Sequence, residues 1–275
     1  MTDTSRLEQP DDRIKPDPRR GAPAAVDPAR ADAAFAGADF MELPLGSRIH
    51  ATARQALSSM HEASGELAEA MVAVQGDGVI GGDGKRSGDW RLTPGGKLRA
   101  FSGDEPALAD AAESRFKSIA EKVDKSLADL GEVEELLTGS ISKKLRDARS
   151  ETPSGVALAG EIRRHLLGME PGKRTQFLAK RIAEGDLQTV SAVLDVPGYL
   201  AGLDDQAREV VHGLAAKQFA AGESAALDGA RRASEMIRSG GTVFVERWRA
   251  STSQLGPGKR DRAAKIEKVR GGGAA

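Results

Sequence analysis

Cysteine is absent from the 275-residue chain, and aromatic residues make up only 4% of it. The absence of cysteine excludes a disulfide framework, a thiolate nucleophile and a cysteine-ligated zinc or iron–sulfur site. Because 44 of the hydrophobic residues are alanine, few large side chains are left to form a core. A composition rich in Ala, Leu, Glu, Lys and Arg predicts an all-α protein rather than a β-sandwich or barrel.

Neither sign of charge predominates, since 40 Lys and Arg residues stand against 41 Asp and Glu residues. The chain therefore has no bulk attraction to nucleic acid or to an anionic membrane, and such binding would require a local patch. No apolar run approaches the roughly 20 residues of a membrane-spanning helix. The polar N-terminal sequence also lacks the hydrophobic region of a signal peptide. We expect a soluble protein that is not secreted by a signal peptide and does not bind membranes.

The N-terminal segment 1–44 contains six of the twelve prolines and only two aromatic residues, Phe35 and Phe40. Such a segment buries too little surface to offset the entropy lost on ordering. It is predicted to be a disordered arm. The alternative is that Phe35, Phe40, Met41 and Leu43 dock on a partner or on the body of the protein.

Residues 45–150 carry the pattern of two long amphipathic helices joined through a glycine-rich loop at 75–89. Apolar residues recur at spacings of three and four over about 47–74. Over about 105–148 they occupy heptad a and d positions: Phe116, Ile119, Val123, Leu130, Val133 and Leu137. These helices are expected to pack against each other as a helical hairpin or to self-associate as a coiled coil. Between them, Pro94-Gly95-Gly96 predicts a type II turn in a small β-hairpin near 90–101.

Residues 151–250 are predicted to form a domain of shorter helices. Gly185-Asp186 and Pro197-Gly198 are signals that end one element and start the next. They divide the segment into helices at about 157–167, 171–184, 186–194, 204–221 and 223–239, and a short apolar run at 243–248 closes the domain. The remaining segment, 251–275, is predicted to be a basic flexible tail.

No motif in the chain supports catalysis. Residues 76–81 match the spacing G-x-G-x-x-G, but a long predicted helix precedes them where a dinucleotide site requires a strand. The four histidines have no partners at the spacing of a metal site: His50, His61, His165 and His212. We therefore predict a protein that is not an enzyme, with no catalytic, cofactor-binding or metal residues and no cofactor.

Residues 177–194, FLAKRIAEGDLQTVSAVL, resemble the helix-turn-helix of bacterial repressors. The resemblance implies a DNA-binding regulator that uses residues 171–196. In the family pattern the turn glycine directly follows the last hydrophobic residue of the first helix, whereas here Ala183 and Glu184 intervene and displace the second helix by about one residue. That second helix offers only Gln188 as a reader of bases, and it contains no Lys or Arg. Helix-turn-helix DNA binding is therefore the alternative function.

The C-terminal tail is the one local basic patch. Its predicted partner-binding residues are Lys259, Arg260, Arg262, Lys265, Lys268 and Arg270. Such a patch can contact an acidic protein surface or, nonspecifically, nucleic acid. The alternative is that the tail only increases solubility.

The segment 161–203 is similar to uncharacterised helical proteins from the structural gene regions of tailed phages and prophages. The similarity rests on Ile182, Gly185, Asp186, Val193, Leu194, Pro197, Leu200, Gly202 and Leu203. It implies a virion structural or capsid-assembly protein that is scaffold-like, self-associates as an oligomer and contacts other virion proteins. Such a viral protein would reside in the host cytoplasm or in the virion. The matching residues have structural roles, so the resemblance implies no catalytic residue.

Overall fold

The computed structural model of the protein describes residues 22–75, 89–92, 98–103, 105–147 and 152–253. Helices dominate these residues, which confirms the predicted all-α class. The α-helices of the described chain are α1 (Ala29–Phe35), α2 (Pro44–Gln75), α3 (Glu105–Asp147), α4 (Pro153–Leu167), α5 (Pro171–Ala183), α6 (Leu187–Leu194), α7 (Asp205–Phe219) and α8 (Ala221–Thr252). Short 3-10 segments occur at Ala24–Val26, Asp39–Glu42 and Gly198–Ala201.

Two short strands, β1 (Asp89–Leu92) and β2 (Leu98–Gly103), pair antiparallel with Leu92 opposite Leu98. The predicted Pro94-Gly95-Gly96 turn falls in 93–97, outside the described residues. The small hairpin near 90–101, taken with its turn, therefore stays a prediction.

The described chain forms two compact units, each assembled from segments that are distant in sequence. The first unit comprises the described parts of 1–30, 54–125 and 236–275, and the second comprises 31–53 and 126–235. The three longest helices, α2, α3 and α8, each contribute residues to both units. The predicted domains were consecutive segments, because sequence patterns identify elements but not which distant elements pack together.

Residues 22–43 differ from the predicted disordered arm. They contain α1 and two 3-10 segments, and Phe35 and Phe40 are each only 2% exposed. The two rings meet edge to face with their centroids 5.8 Å apart. The ring of Phe40 fills the space beside Gly229 of α8, where an added Cβ would lie 2.6 Å from Cζ. For these two residues, the structure shows docking on the body of the protein. Residues 1–21 lie outside the described residues.

The prolines of this segment begin helices. Pro28 directly precedes α1, and Pro44 is the first residue of α2. A first-turn backbone N–H has no partner within its helix, so proline is tolerated there and its fixed φ favours the helical start. The Oδ1 atom of Asp27 accepts a hydrogen bond of 2.9 Å from the backbone N–H of Ala29 and so caps α1. Clustered prolines therefore mark element boundaries between residues 22 and 44.

The heptad face of α3 is buried inside the single chain. Of the six predicted a and d residues, five are at most 3% exposed and Val123 is partly buried. Phe116 belongs to an aromatic cluster of the first unit, with its ring centroid 5.9 Å from that of Phe244 and 6.0 Å from that of Trp248. This face is therefore occupied by intramolecular packing, one of the two alternatives that its pattern allowed.

Helix α8 continues beyond the end predicted at residue 239. It passes through Gly240 and Gly241 to Thr252. A Cβ at position 240 would lie 3.1 Å from the carbonyl oxygen of Ala25 and 3.2 Å from Cδ2 of Leu57. Gly240 therefore permits close packing within the first unit, whereas in the sequence alone a glycine pair predicts the end of a helix.

Candidate interaction surface

Helices α4 to α7 surround an apolar core within the second unit. Its buried members include Leu166 of α4, Leu178 and Ile182 of α5, Val190 and Val193 of α6, and Val211 of α7. Ile141 and Leu145 of α3 join the same core. These helices hold the surface residues described below in fixed positions.

Gly185 and Asp186 determine the course of the backbone at the α5–α6 junction. Gly185 has φ of 78°, a left-handed conformation that strains residues with a Cβ. Asp186 caps α6, since its carboxylate accepts hydrogen bonds from the backbone N–H of Thr189 at 3.0 Å and from its hydroxyl at 2.6 Å. Ile182 and Val193 are buried in the core. This part of the pattern therefore specifies a turn between two packed helices.

Arg174 fastens the start of α5 to the end of α4 and to Gly202. Its guanidinium donates hydrogen bonds to four backbone carbonyls, those of Leu166, Leu167, Met169 and Gly202. The last carbonyls of a helix have no partner within that helix, so Arg174 satisfies groups that α4 leaves free. Gly202 itself has φ of 67°, and a Cβ there would lie 2.5 Å from Nη1 of Arg174.

Arg208 of α7 lies beside Gly198, in the loop between α6 and α7 that also contains Gly202. Its Cδ atom would be 3.5 Å from a Cβ at Gly198, and its Nη2 donates a 3.0 Å hydrogen bond to the carbonyl of Leu194. Arg163 of α4 donates a 2.9 Å hydrogen bond to the carbonyl of Ala192. Two arginines therefore complete the C-terminal end of α6 and fix the point where the loop begins.

The 3-10 segment Gly198–Ala201, here called the Tyr199 turn, has apolar side chains that are exposed to solvent. Tyr199 is 73% exposed and Leu200 is 44% exposed. Leu167, which is 48% exposed, approaches the same turn, with its Cδ2 3.0 Å from a Cβ built at Gly202. The sequence pattern identified Leu200 and Gly202 as structural and missed Tyr199, the one tyrosine of the chain.

Exposed apolar residues are concentrated in this part of the second unit. Seven of the nine large hydrophobic residues that are exposed in the described chain lie on α4, the Tyr199 turn or α7: Val156, Leu158, Leu167, Tyr199, Leu200, Val210 and Leu214. Isolated exposed apolar residues are ordinary, whereas a high local density of them is more frequent near interaction sites.

Helix α6, which would be the recognition helix in the helix-turn-helix alternative, is packed in the core of the second unit. Five of the eight residues of α6 are buried, and only Gln188 is exposed. A recognition helix must expose several side chains to reach base edges in the major groove. On α5, Lys180 and Arg181 pair with Glu184, at 3.8 Å and 3.1 Å, and Arg174 is bound to carbonyls. Residues 171–196 therefore lack an exposed recognition helix.

The histidines are separated and have different neighbours. Nε2 of His50 lies 2.8 Å from Oδ1 of Asp32, and the ring of His165 meets that of Phe177 with centroids 5.6 Å apart. Burial and the nearby Arg208 guanidinium lower the pKa of His212. Within the described residues, no three His, Asp or Glu side chains come together in an arrangement that could hold a metal ion.

The predicted partner-binding residues of the tail, from Lys259 to Arg270, lie outside the described residues, so their role stays a prediction. Among the described helices, none combines the length and the apolar character needed to cross a membrane.

No family model, curated protein or solved structure matches the chain.

Proposed function

We propose that the protein is a non-enzymatic assembly protein that acts by self-association and by binding other structural proteins. The observation that carries this proposal is the concentration of exposed apolar residues on α4, the Tyr199 turn and α7. Burial of such residues against another protein removes apolar surface from water, which is the main favourable contribution to association.

Because the heptad face of α3 is buried, self-association would have to use a different surface. Phe116, Leu130 and Leu137 are each at most 3% exposed within one chain. A coiled coil between chains would require these side chains to leave the core. Self-association therefore uses the surface of the second unit and leaves the long helices packed within the chain.

A virion-associated or scaffold-like role in a phage is the specific form of this proposal. The similarity of residues 161–203 to proteins of phage structural gene regions supports it, and it implies coat or other virion proteins as further partners. The basic tail would add contact with coat protein or with DNA. The protein would then act in the host cytoplasm or remain in the virion.

A DNA-binding regulator is the second candidate. Its supporting observation is that Pro171–Ala183 contains four cations and no carboxylate, although DNA phosphates would have to replace Glu184 as the partner of Lys180 and Arg181. A regulator of this kind would bind through residues 171–196 with dependence on base sequence. An assembly protein would bind DNA only through the tail, without dependence on base sequence.

Light scattering coupled to size-exclusion chromatography tests the proposal. We expect the mass of the purified full-length protein to rise above that of one 28.9 kDa chain as its concentration increases. A single-chain mass over the whole accessible concentration range would contradict self-association. Fluorescence anisotropy with duplexes of different sequence tests the second candidate, which requires salt-sensitive binding that differs between sequences.

A further inference from the structure

We propose that residues 22–43 form an arm that can exchange between two copies of the chain, and that Gly46 keeps this arm on its own copy. The inference goes beyond the proposed function, since it does not involve the exposed residues of α4, the Tyr199 turn and α7. It concerns a surface whose occupant the structure shows, because the arm itself covers part of α8.

Two side chains of the arm pack against glycines of α8 within the second unit. The ring of Phe40, which is 2% exposed, lies so close to Gly229 that a Cβ there would be 2.6 Å from its Cζ. A Cβ at Gly222 would lie 3.3 Å from Cδ1 of Leu43. A larger residue at position 229 would take the space of the ring, so this part of α8 fits the arm specifically.

The bonds that shape the arm are local. The backbone carbonyls of Pro23, Phe35 and Phe40 each accept a hydrogen bond of 3.0 to 3.2 Å from the N–H three residues later. Side chains attach the arm to α2, with Nε2 of His50 2.8 Å from Oδ1 of Asp32. Because the local bonds do not depend on which copy of α8 the arm covers, exchange preserves them.

Gly46 is the residue that the closed arm requires. The chain folds back between Phe40 and Gly46, so a Cβ at position 46 would overlap the carbonyl oxygen of Phe40 and would lie 2.8 Å from Cα of Met41. Both atoms belong to the backbone and cannot rotate away as a side chain can. Gly46 lies in α2 and does not have a positive φ, so alanine suits the helix itself. A side chain at position 46 therefore excludes the closed arm and leaves α2 intact.

In an exchanged dimer, the arm of each copy covers α8 of the other through the same contacts. The two states then differ in the fold-back at residues 40–46 and in the entropy of association. The closed state is favoured because the arm is attached to the chain that carries its binding surface, which gives a high effective concentration. When the fold-back opens, this advantage is lost and the arm binds a second copy.

The first test is Gly46→Ala. The variant should dimerise with a dissociation constant at least about tenfold below that of the wild type, measured by sedimentation velocity. The matched control is Gly65→Ala, the same substitution in α2 at a position where a Cβ meets nothing within 4 Å, and it should leave association unchanged. Circular dichroism and thermal unfolding check that both variants are folded. A folded Gly46→Ala variant that associates no more strongly than Gly65→Ala would overturn the proposal.

The second test locates the arm by crosslinking, since the natural chain contains no cysteine. Chains carrying L43C and chains carrying G222C, both with Gly46→Ala, are refolded together from urea and treated with a short bismaleimide. A product that joins position 43 of one chain to position 222 of the other requires the exchanged arm. The control replaces G222C with G213C, at an exposed position of α7 where a Cβ meets nothing within 4 Å, and should not give this product. If Gly46→Ala does not fold, the same pair is tested in the otherwise wild-type chain.

The outcomes separate this inference from the proposed function. If no link between positions 43 and 222 forms between chains, exchange is overturned, and any association of the wild type then uses another surface. A linked Gly46→Ala dimer supports exchange even when the wild type stays monomeric, a result that would contradict the proposed self-association. A dimer that is linked equally through G213C would overturn exchange, because the crosslink would not be specific to α8.

Discussion

Gly185 and Gly202 share a left-handed backbone and differ in their surroundings. Their φ angles are 78° and 67°, but a Cβ at Gly185 meets nothing within 4 Å, whereas one at Gly202 meets Arg174 and Leu167. An alanine in this conformation costs about 1 kcal/mol for the backbone alone. The two glycines therefore have similar backbone conformations but different packing, so alanine variants at the two positions separate the two effects.

We expect Gly202→Ala to lower the free energy of unfolding by about 2 kcal/mol and Gly185→Ala by about 1 kcal/mol. The additional loss arises because the new methyl group displaces the Arg174 guanidinium from the carbonyls that it binds. Urea denaturation of both variants measures the difference. Equal losses at the two positions would show that Arg174 adjusts without cost.

At the scale of elements, α2 and α3 are joined within the first unit by a buried ion pair. Nε and Nη2 of Arg115 each donate a 3.1 Å hydrogen bond to the carboxylate of Glu66, and the two side chains are 5% and 13% exposed. Removal of one partner leaves a poorly solvated charge, which costs far more than the loss of an exposed pair.

Arg115→Met should destabilise the protein by about 3 kcal/mol, because the poorly solvated Glu66 carboxylate loses both hydrogen bonds from this side chain, whereas the double variant E66L/R115M should lose much less, because the carboxylate is also removed. The control is Arg48→Ala, which removes the exposed pair with Glu132 and should cost below about 1 kcal/mol. Chemical denaturation of the four proteins completes the comparison. A double variant as unstable as Arg115→Met would mean that the lost packing dominates.

The helices of the second unit were predictable from local signals. Pro171, Gly185 and Asp186 mark helix boundaries that the structure places within one or two residues of those expected. The contact between Phe40 and Gly229 was not predictable, because 189 positions separate them and neither residue carries a signal for the other. The same holds for the Tyr199 turn, since its exposure depends on the helices that surround it. Composition and periodicity report local structure, whereas a surface depends on the tertiary fold.

For the whole molecule, His212 couples stability to pH. Its pKa is lowered by burial and by the Arg208 guanidinium, so the unfolded chain takes up a proton at a higher pH than the folded one. Stability is therefore complete above the ordinary pKa of 6.5 and declines as the pH falls below it.

We expect the thermal unfolding midpoint to fall from pH 7.5 to pH 5.5, and His212→Gln should reduce this dependence because no proton is taken up at position 212. Scanning calorimetry of both proteins across that range provides the measurement. An identical pH profile in the variant would assign the dependence to other groups.

The contribution of α2, α3 and α8 to both units has a consequence for biosynthesis. The first unit needs residues from 236 onward and the second extends to residue 235, but the core that α4 to α7 surround is formed by residues 141–220. The chain emerges from the ribosome with its N-terminus first, and domains formed from one continuous stretch can fold while synthesis proceeds. Here the core of α4 to α7 can form once residues 141–220 have emerged, whereas the apolar faces of the first unit stay uncovered until residues from 236 onward follow. A stop codon shortly before α8 would therefore release a chain that retains the core of α4 to α7 and in which the first unit cannot form.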